Sequence, residues 1–78
     1  MDINGYDEFL PEAGRLIIKK RDASLGVIQV KFKIGSNRAE RIMEQLEKLG
    51  VVDHAEFGRP RLIKVSLEKY EQIIREIS

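Results

Sequence analysis

Apolar residues recur along this chain at intervals of three and four, and most of these stripes are bounded by residues that start or stop helices. Ala39, Ile42, Met43, Leu46 and Leu49 give the clearest stripe, closed by Gly50. A first helix is expected to begin near Leu10-Pro11, because proline suits the first helical position and Glu12 suits the positive end of the dipole. It carries Ala13, Leu16 and Ile17 and ends near Asp22, after the basic residues of its last turn. Ser24 then stands where a cap belongs, ahead of Leu25, Ile28 and Phe32 at i, i+3 and i+7. Gly26 and the β-branched Val27 and Val30 lower the propensity of this second helix, which tertiary packing must hold. Between it and the third helix lies Lys33-Ile34-Gly35-Ser36. There Gly35 is expected to take the left-handed conformation, Ile34 to plug the junction and Ser36 to cap the next helix.

Two helices joined by a tight glycine turn make a helix-turn-helix. After Gly50, Val51-Val52 and Leu62-Ile63-Lys64-Val65 read as two strands around a glycine- and proline-containing turn. A hairpin in that place is a wing, to which Ala23-Ser24 can add a short third strand. Ser66 then caps a helix with Leu67, Tyr70, Ile73, Ile74 and Ile77 on one face. The expected fold is mainly α with a small β-wing, a winged helix-turn-helix with an extra C-terminal helix. Its parts are an acidic N-terminal arm over 1–9, the winged-helix domain over 10–65, and a C-terminal amphipathic helix over 66–78 that packs on the domain or extends from it.

Composition narrows the function. With 78 residues, 42% apolar and 35% charged, the chain suits one small soluble domain. Such a domain buries only roughly 60% of its unfolded surface, so most periodic apolar residues are needed for the core. No apolar run approaches the ~20 residues of a membrane span, so no membrane contact is expected, and the setting expected is cytoplasmic. Without cysteine and with His54 as the one histidine, neither a disulfide framework nor a Cys/His zinc site is available. No cofactor or metal is expected. His54 has no partner at a suggestive spacing, no phosphate-binding glycine loop is present, and no catalytic site is read from the sequence.

The formal net charge of +1 says little, but its distribution says more. Asp2, Asp7, Glu8 and Glu12 make the first 14 residues acidic, whereas Arg15, Lys19, Lys20, Arg21, Lys31, Lys33, Arg38 and Arg41 make the next stretch basic. With its apolar stripe turned inward, the third helix must present Asn37, Arg38, Arg41 and Gln45. Arginine can bind guanine O6 and N7 with two hydrogen bonds, and asparagine or glutamine can bind adenine N6 and N7 in the same way. These four are therefore the expected base-reading residues of a double-stranded DNA binder. Arg38 and Arg41 also have Glu40, Glu44 and Glu47 as neighbours, and pairing with them would make an ordinary exposed helix face. Their place at the start of the helix favours the groove. Lys20, Arg21, Lys31, Lys33 and Ser36 are the candidates for the DNA backbone, and Arg59 and Arg61, with Gly58 and Pro60, form a stiff basic wing tip.

The stretch from Ala23-Ser24 to Arg41 resembles the gamma domain of the FtsK/SpoIIIE DNA translocases. The matching residues are Ala23, Ser24, Ile28, Gln29, Lys31, Phe32, Lys33, Ile34, Gly35, Asn37, Arg38, Ala39 and Arg41, followed by Gly50-Val51-Val52 and the wing Gly58-Arg59-Pro60-Arg61. The resemblance covers about residues 10–65. It implies a winged helix that recognises short G-rich orientation sequences in chromosome segregation, orients a hexameric motor and touches a site-specific recombinase. By match, Asn37, Arg38 and Arg41 approach bases, and Arg59 and Arg61 serve in the wing. Ser36 stands where the family has tyrosine, Val30 where it has a basic residue, and Glu40 where it has alanine, so phosphate contacts and sequence choice can differ.

Two other readings stay open. One is a protein-interaction winged helix that docks through the terminal helix or the acidic arm. The other is a small dimeric transcriptional regulator reading two half-sites. Independently of these, Ile73, Ile74 and Ile77 of the terminal helix offer a homodimer contact.

Overall fold

The computed structural model describes residues 2–3, 5–56 and 59–78. Two short strands, β1 (Asp2–Ile3) and β2 (Tyr6–Asp7), precede four helices: α1 (Leu10–Lys20), α2 (Leu25–Phe32), α3 (Ser36–Lys48) and α4 (Leu67–Ile77). The core is formed by Leu10, Ala13 and Ile17 of α1, Ile28 of α2, and Ala39, Ile42, Met43 and Leu46 of α3, with Val51 and Val52 of the wing and Tyr70 and Ile74 of α4. The helical members of this set are the positions at which the 3.6-residue period returns to one face. The architecture is a small winged-helix fold, as the periodicity predicts.

The turns differ in detail from expectation. α2 ends at Phe32, so the left-handed residue that closes it is Lys33 (φ 54°, ψ 48°), and Gly35 is extended (φ −76°, ψ 170°). Ile34 N–H donates to Gln29 O at 3.3 Å across this closure. Gly35, not Ser36, is the N-cap of α3, and Ser36 is already helical. Ser24 does stand at the N-cap of α2, but its side chain makes no capping bond. Ser66 does cap α4, its Oγ accepting from Lys69 N–H at 3.1 Å. Ser66→Ala is therefore expected to cost about 1 kcal/mol, measurable as a lower urea midpoint with an unchanged m-value.

The wing is less regular than two strands. Val52 bridges Ile63, Glu56 bridges Arg59, and Ala23 supplies the third strand's place by bridging Arg61. Among the described residues of the wing only single bridges form, and Pro60 has no N–H to give to a ladder. Gly58 lies outside the described residues.

α4 packs on α1. Gly14 leaves room for the Tyr70 ring, whose hydroxyl donates to Leu10 O at 2.7 Å and Pro11 O at 3.1 Å. Burial pushes the Tyr70 phenol above its ordinary pKa, which keeps it a donor. At the rim, Arg15 Nε and Nη2 reach the Glu71 carboxylate at 2.6 and 2.9 Å. The apolar face of α4 is thus occupied within the chain: Ile74 is buried, and Ile73 and Ile77 pack against the core.

Candidate nucleic-acid interface

The acidic N-terminal segment does not hang free. β1 and β2 pair antiparallel with Asp2 opposite Asp7, and Asp7 is fully buried against α3. Its Oδ1 accepts from Phe9 N–H at 2.9 Å, which turns the chain into α1, and from Arg38 Nη2 at 3.0 Å. Its Oδ2 accepts from Arg38 Nε at 2.9 Å and Arg41 Nη2 at 3.2 Å. Asp7 N–H in turn donates to Gln45 Oε1 at 2.9 Å. Burial works to raise the Asp7 pKa, but the hydrogen bonds from Arg38, Phe9 N–H and Arg41 outweigh it and hold the carboxyl at about 2.

Arg38, Arg41 and Gln45, expected together on one outward strip, are therefore brought together around Asp7 instead. Their exposures separate them. The Arg38 side chain is 32% exposed and lies 4.4 Å over the Phe9 ring, itself stacked 4.6 Å from Phe32, whereas Arg41 is 58% exposed. The outward strip is rotated by about one residue from the expected one. Asn37, Arg41 and Glu44 are exposed at i, i+4 and i+7. Sequence reading missed both Asp7 and Glu44. Glu44 carries a signal in its spacing from Asn37 and Arg41, but choosing between the two strips requires knowing which flank of α3 the N-terminal segment covers.

The basic candidates fall into separate groups. Lys31, Lys33 and Ser36 are exposed around the turn before α3. Lys20 and Lys31 share a groove of about 580 Å³ with Leu16, Val27 and the 79% exposed Val30. Arg21 and Arg59 line a second cavity between α1, the wing and the start of α4. A third, of about 440 Å³, is lined by Glu40 of α3 and Arg59 of the wing, so the outer face of α3 runs into the wing there. Arg61 turns back: only 10% exposed, it donates to Glu47 Oε1 at 2.6 Å and to Asp53 O at 3.3 Å, bracing the wing on α3.

His54, contrary to its reading as unpartnered, has Nδ1 3.0 Å from the neighbouring Asp53 Oδ1, in an exposed pair. Its N–H donates to the same oxygen and is the main cause of a lowered Asp53 pKa. Among the described residues no group of three histidines, cysteines or carboxylates is placed to hold a metal, and no helix is long and apolar enough to cross a membrane.

Residues 4–66 match the model of the Ftsk gamma domain. The chain belongs to that family. It is 39% identical to the DNA translocase SpoIIIE of Bacillus subtilis over 67 residues, covering 86% of this chain and 8% of that protein. It is 48% identical to the DNA translocase FtsK of Clostridium acetobutylicum over 59 residues (76% and 8%), and 33% identical to that of Chlorobaculum tepidum over 72 residues (91% and 9%). The gamma domain thus spans less than a tenth of these curated relatives, and it is this small domain, not a motor domain, that matches. The gamma-domain match ends at residue 66, immediately before α4.

Proposed function

We propose that this gamma domain binds double-stranded DNA sequence-selectively by placing the N-terminal half of α3 in the major groove. The observation that carries the reading is the exposed strip of Asn37, Arg41 and Glu44, an amide, a guanidinium and a carboxylate on the second helix of a helix-turn-helix. These match adenine, the O6/N7 edge of guanine and the N4 amino group of cytosine, respectively. Lys33, Ser36 and Arg59 flank the strip as backbone contacts, which position without reading sequence. Arg38 and Gln45 hold Asp7 and take no base. The winged helix of 10–65 is the DNA-binding unit in this reading, with the acidic segment as its brace. The resemblance to translocase gamma domains makes G-rich duplexes the first ligands to try and a recombinase the first protein partner. A homodimer through α4 forms no part of the reading, because that helix's apolar face already meets α1.

The test is a fluorescence anisotropy titration of labelled G-rich and scrambled duplexes at two salt concentrations. Each neutralised phosphate is expected to contribute about −0.9 to the slope of log affinity against log salt. Arg41→Ala is expected to cost roughly 1–3 kcal/mol on the preferred duplex and far less on the scrambled one. Weak binding that is indifferent to sequence and to Arg41 would sink the reading. It would favour a protein-docking winged helix, for which the exposed Val30 and its groove beside Lys20 and Lys31 are the supporting observation.

A further inference from the structure

A carboxylate buried directly behind a DNA-reading helix opposes the phosphates that the helix must approach, so its presence calls for a role. We propose that Asp7 is a positioning residue that sets the sequence selectivity of α3, holding the Arg41 guanidinium in one orientation and keeping Arg38 away from the bases. This inference rests on the DNA-binding reading.

Asp7 is fixed in the frame of α3. Its own N–H is bonded to Gln45 of that helix, and its carboxylate meets Arg38 and Arg41 of the preceding turns. The acceptor sites of the carboxylate are filled by Phe9 N–H, two donors of Arg38 and one of Arg41, so it has no freedom to turn. The two arginines are held differently. Arg38 gives two donors in a fork and stacks on Phe9, which leaves it committed. The bond from Arg41 to Asp7 uses one of its five donors, and the side chain stays mostly exposed. A long side chain restrained before it meets its ligand loses less rotamer freedom on binding, and this restraint favours one base geometry over others. Asp7 also places a negative charge beside the strip, which weakens attraction to any phosphate backbone and leaves selective contacts a larger share of the affinity.

The experiment compares wild type and Asp7→Asn on two probes, a duplex selected by the wild type from a random-core library and its scrambled counterpart. Wild-type preference for the selected duplex is established first; its absence would overturn the DNA-binding reading itself and this inference with it. Given that preference, Asp7→Asn is expected to reduce the ratio of the two affinities by about tenfold, the lower range of a lost bidentate base contact. Affinity for the scrambled duplex is expected to stay level or rise. In an Arg41→Ala background, Asp7→Asn is expected to leave the ratio unchanged, because the two act through one contact. Equal strengthening on both duplexes would reduce Asp7 to a repelling charge, equal weakening would reduce it to a structural residue, and an undiminished effect without Arg41 would remove Arg41 from the account. Each of these overturns the proposal. If Asp7→Asn does not fold, NMR of the wild type decides: rotation about the Arg41 Nε–Cζ bond in the free protein is expected to be slowed. Rotation as fast as that of exposed Arg59 would overturn the proposal.

Discussion

Gly14→Ala is expected to destabilise the domain by about 3 kcal/mol, although alanine is the better helix former by about 1 kcal/mol. A Cβ at position 14 would fall onto Cζ and Oη of Tyr70. The ring cannot retreat, since it is fully buried and its hydroxyl is held by Leu10 O and Pro11 O. Accommodation requires it to leave its site, at a cost approaching that of truncating a buried aromatic side chain, roughly 3–5 kcal/mol. Against a total of about 5–15 kcal/mol, that is a large share. Urea unfolding followed by circular dichroism measures it, and Tyr70→Leu in the Gly14→Ala background is expected to recover part of the loss by removing the collision. A neutral or stabilised Gly14→Ala would mean that helix propensity alone governs the site and that α4 is not seated as described.

The second large effect is acid sensitivity through Asp7. Its carboxyl sits at about 2 in the folded chain against a reference of 3.8. A depressed pKa means that the native state holds the charged form more strongly than the unfolded chain does. The resulting stability is fully present above about pH 4 and is lost as pH falls through about 2, amounting to about 2 kcal/mol. Asp7→Asn is expected to be less stable than wild type at neutral pH by a similar amount, and the gap is expected to close as the pH approaches 2. Asp53 and Glu71, also lowered, titrate in both proteins, so the difference between the two curves isolates Asp7. Curves that ran parallel from neutral pH to acid would show that the Arg38 and Arg41 pairs contribute no net stability.

The helices were readable because their information is local. The stripe of Ala39, Ile42, Met43 and Leu46, the proline at the head of α1 and the Ser66 cap all act within a turn or two of themselves. The glycine turn was readable as a turn but not in its geometry. Whether Lys33 or Gly35 takes the left-handed conformation depends on which residue ends α2, and helix ends are fixed by packing as much as by composition. The wing was readable as a return of the chain, whereas its collapse to single bridges depends on what each strand faces.

Asp7 was not readable at all. Its partner Arg38 lies 31 positions along the chain, and no period in either segment announces a pair at that separation. The shift of the exposed strip follows directly from that. From α3 alone, Arg38 and Gln45 are as outward as Arg41, and only the arrival of the N-terminal hairpin on one flank turns them inward. Arg61 follows the same rule, since Glu47, which holds it, lies 14 positions back on a different element.

The Tyr70 contact also bears on how the chain comes to be folded. It joins positions 60 residues apart, so α1 cannot complete its packing until residue 70 has been made. During synthesis, α1, α2 and α3 leave the ribosome with the Tyr70 site on α1 still unfilled, an apolar notch beside the Leu10 and Pro11 carbonyl oxygens that later accept its hydroxyl. Closing it is a late step that joins the first helix to the last, and it makes the nascent domain most vulnerable to aggregation and proteolysis in the interval before residue 70 emerges.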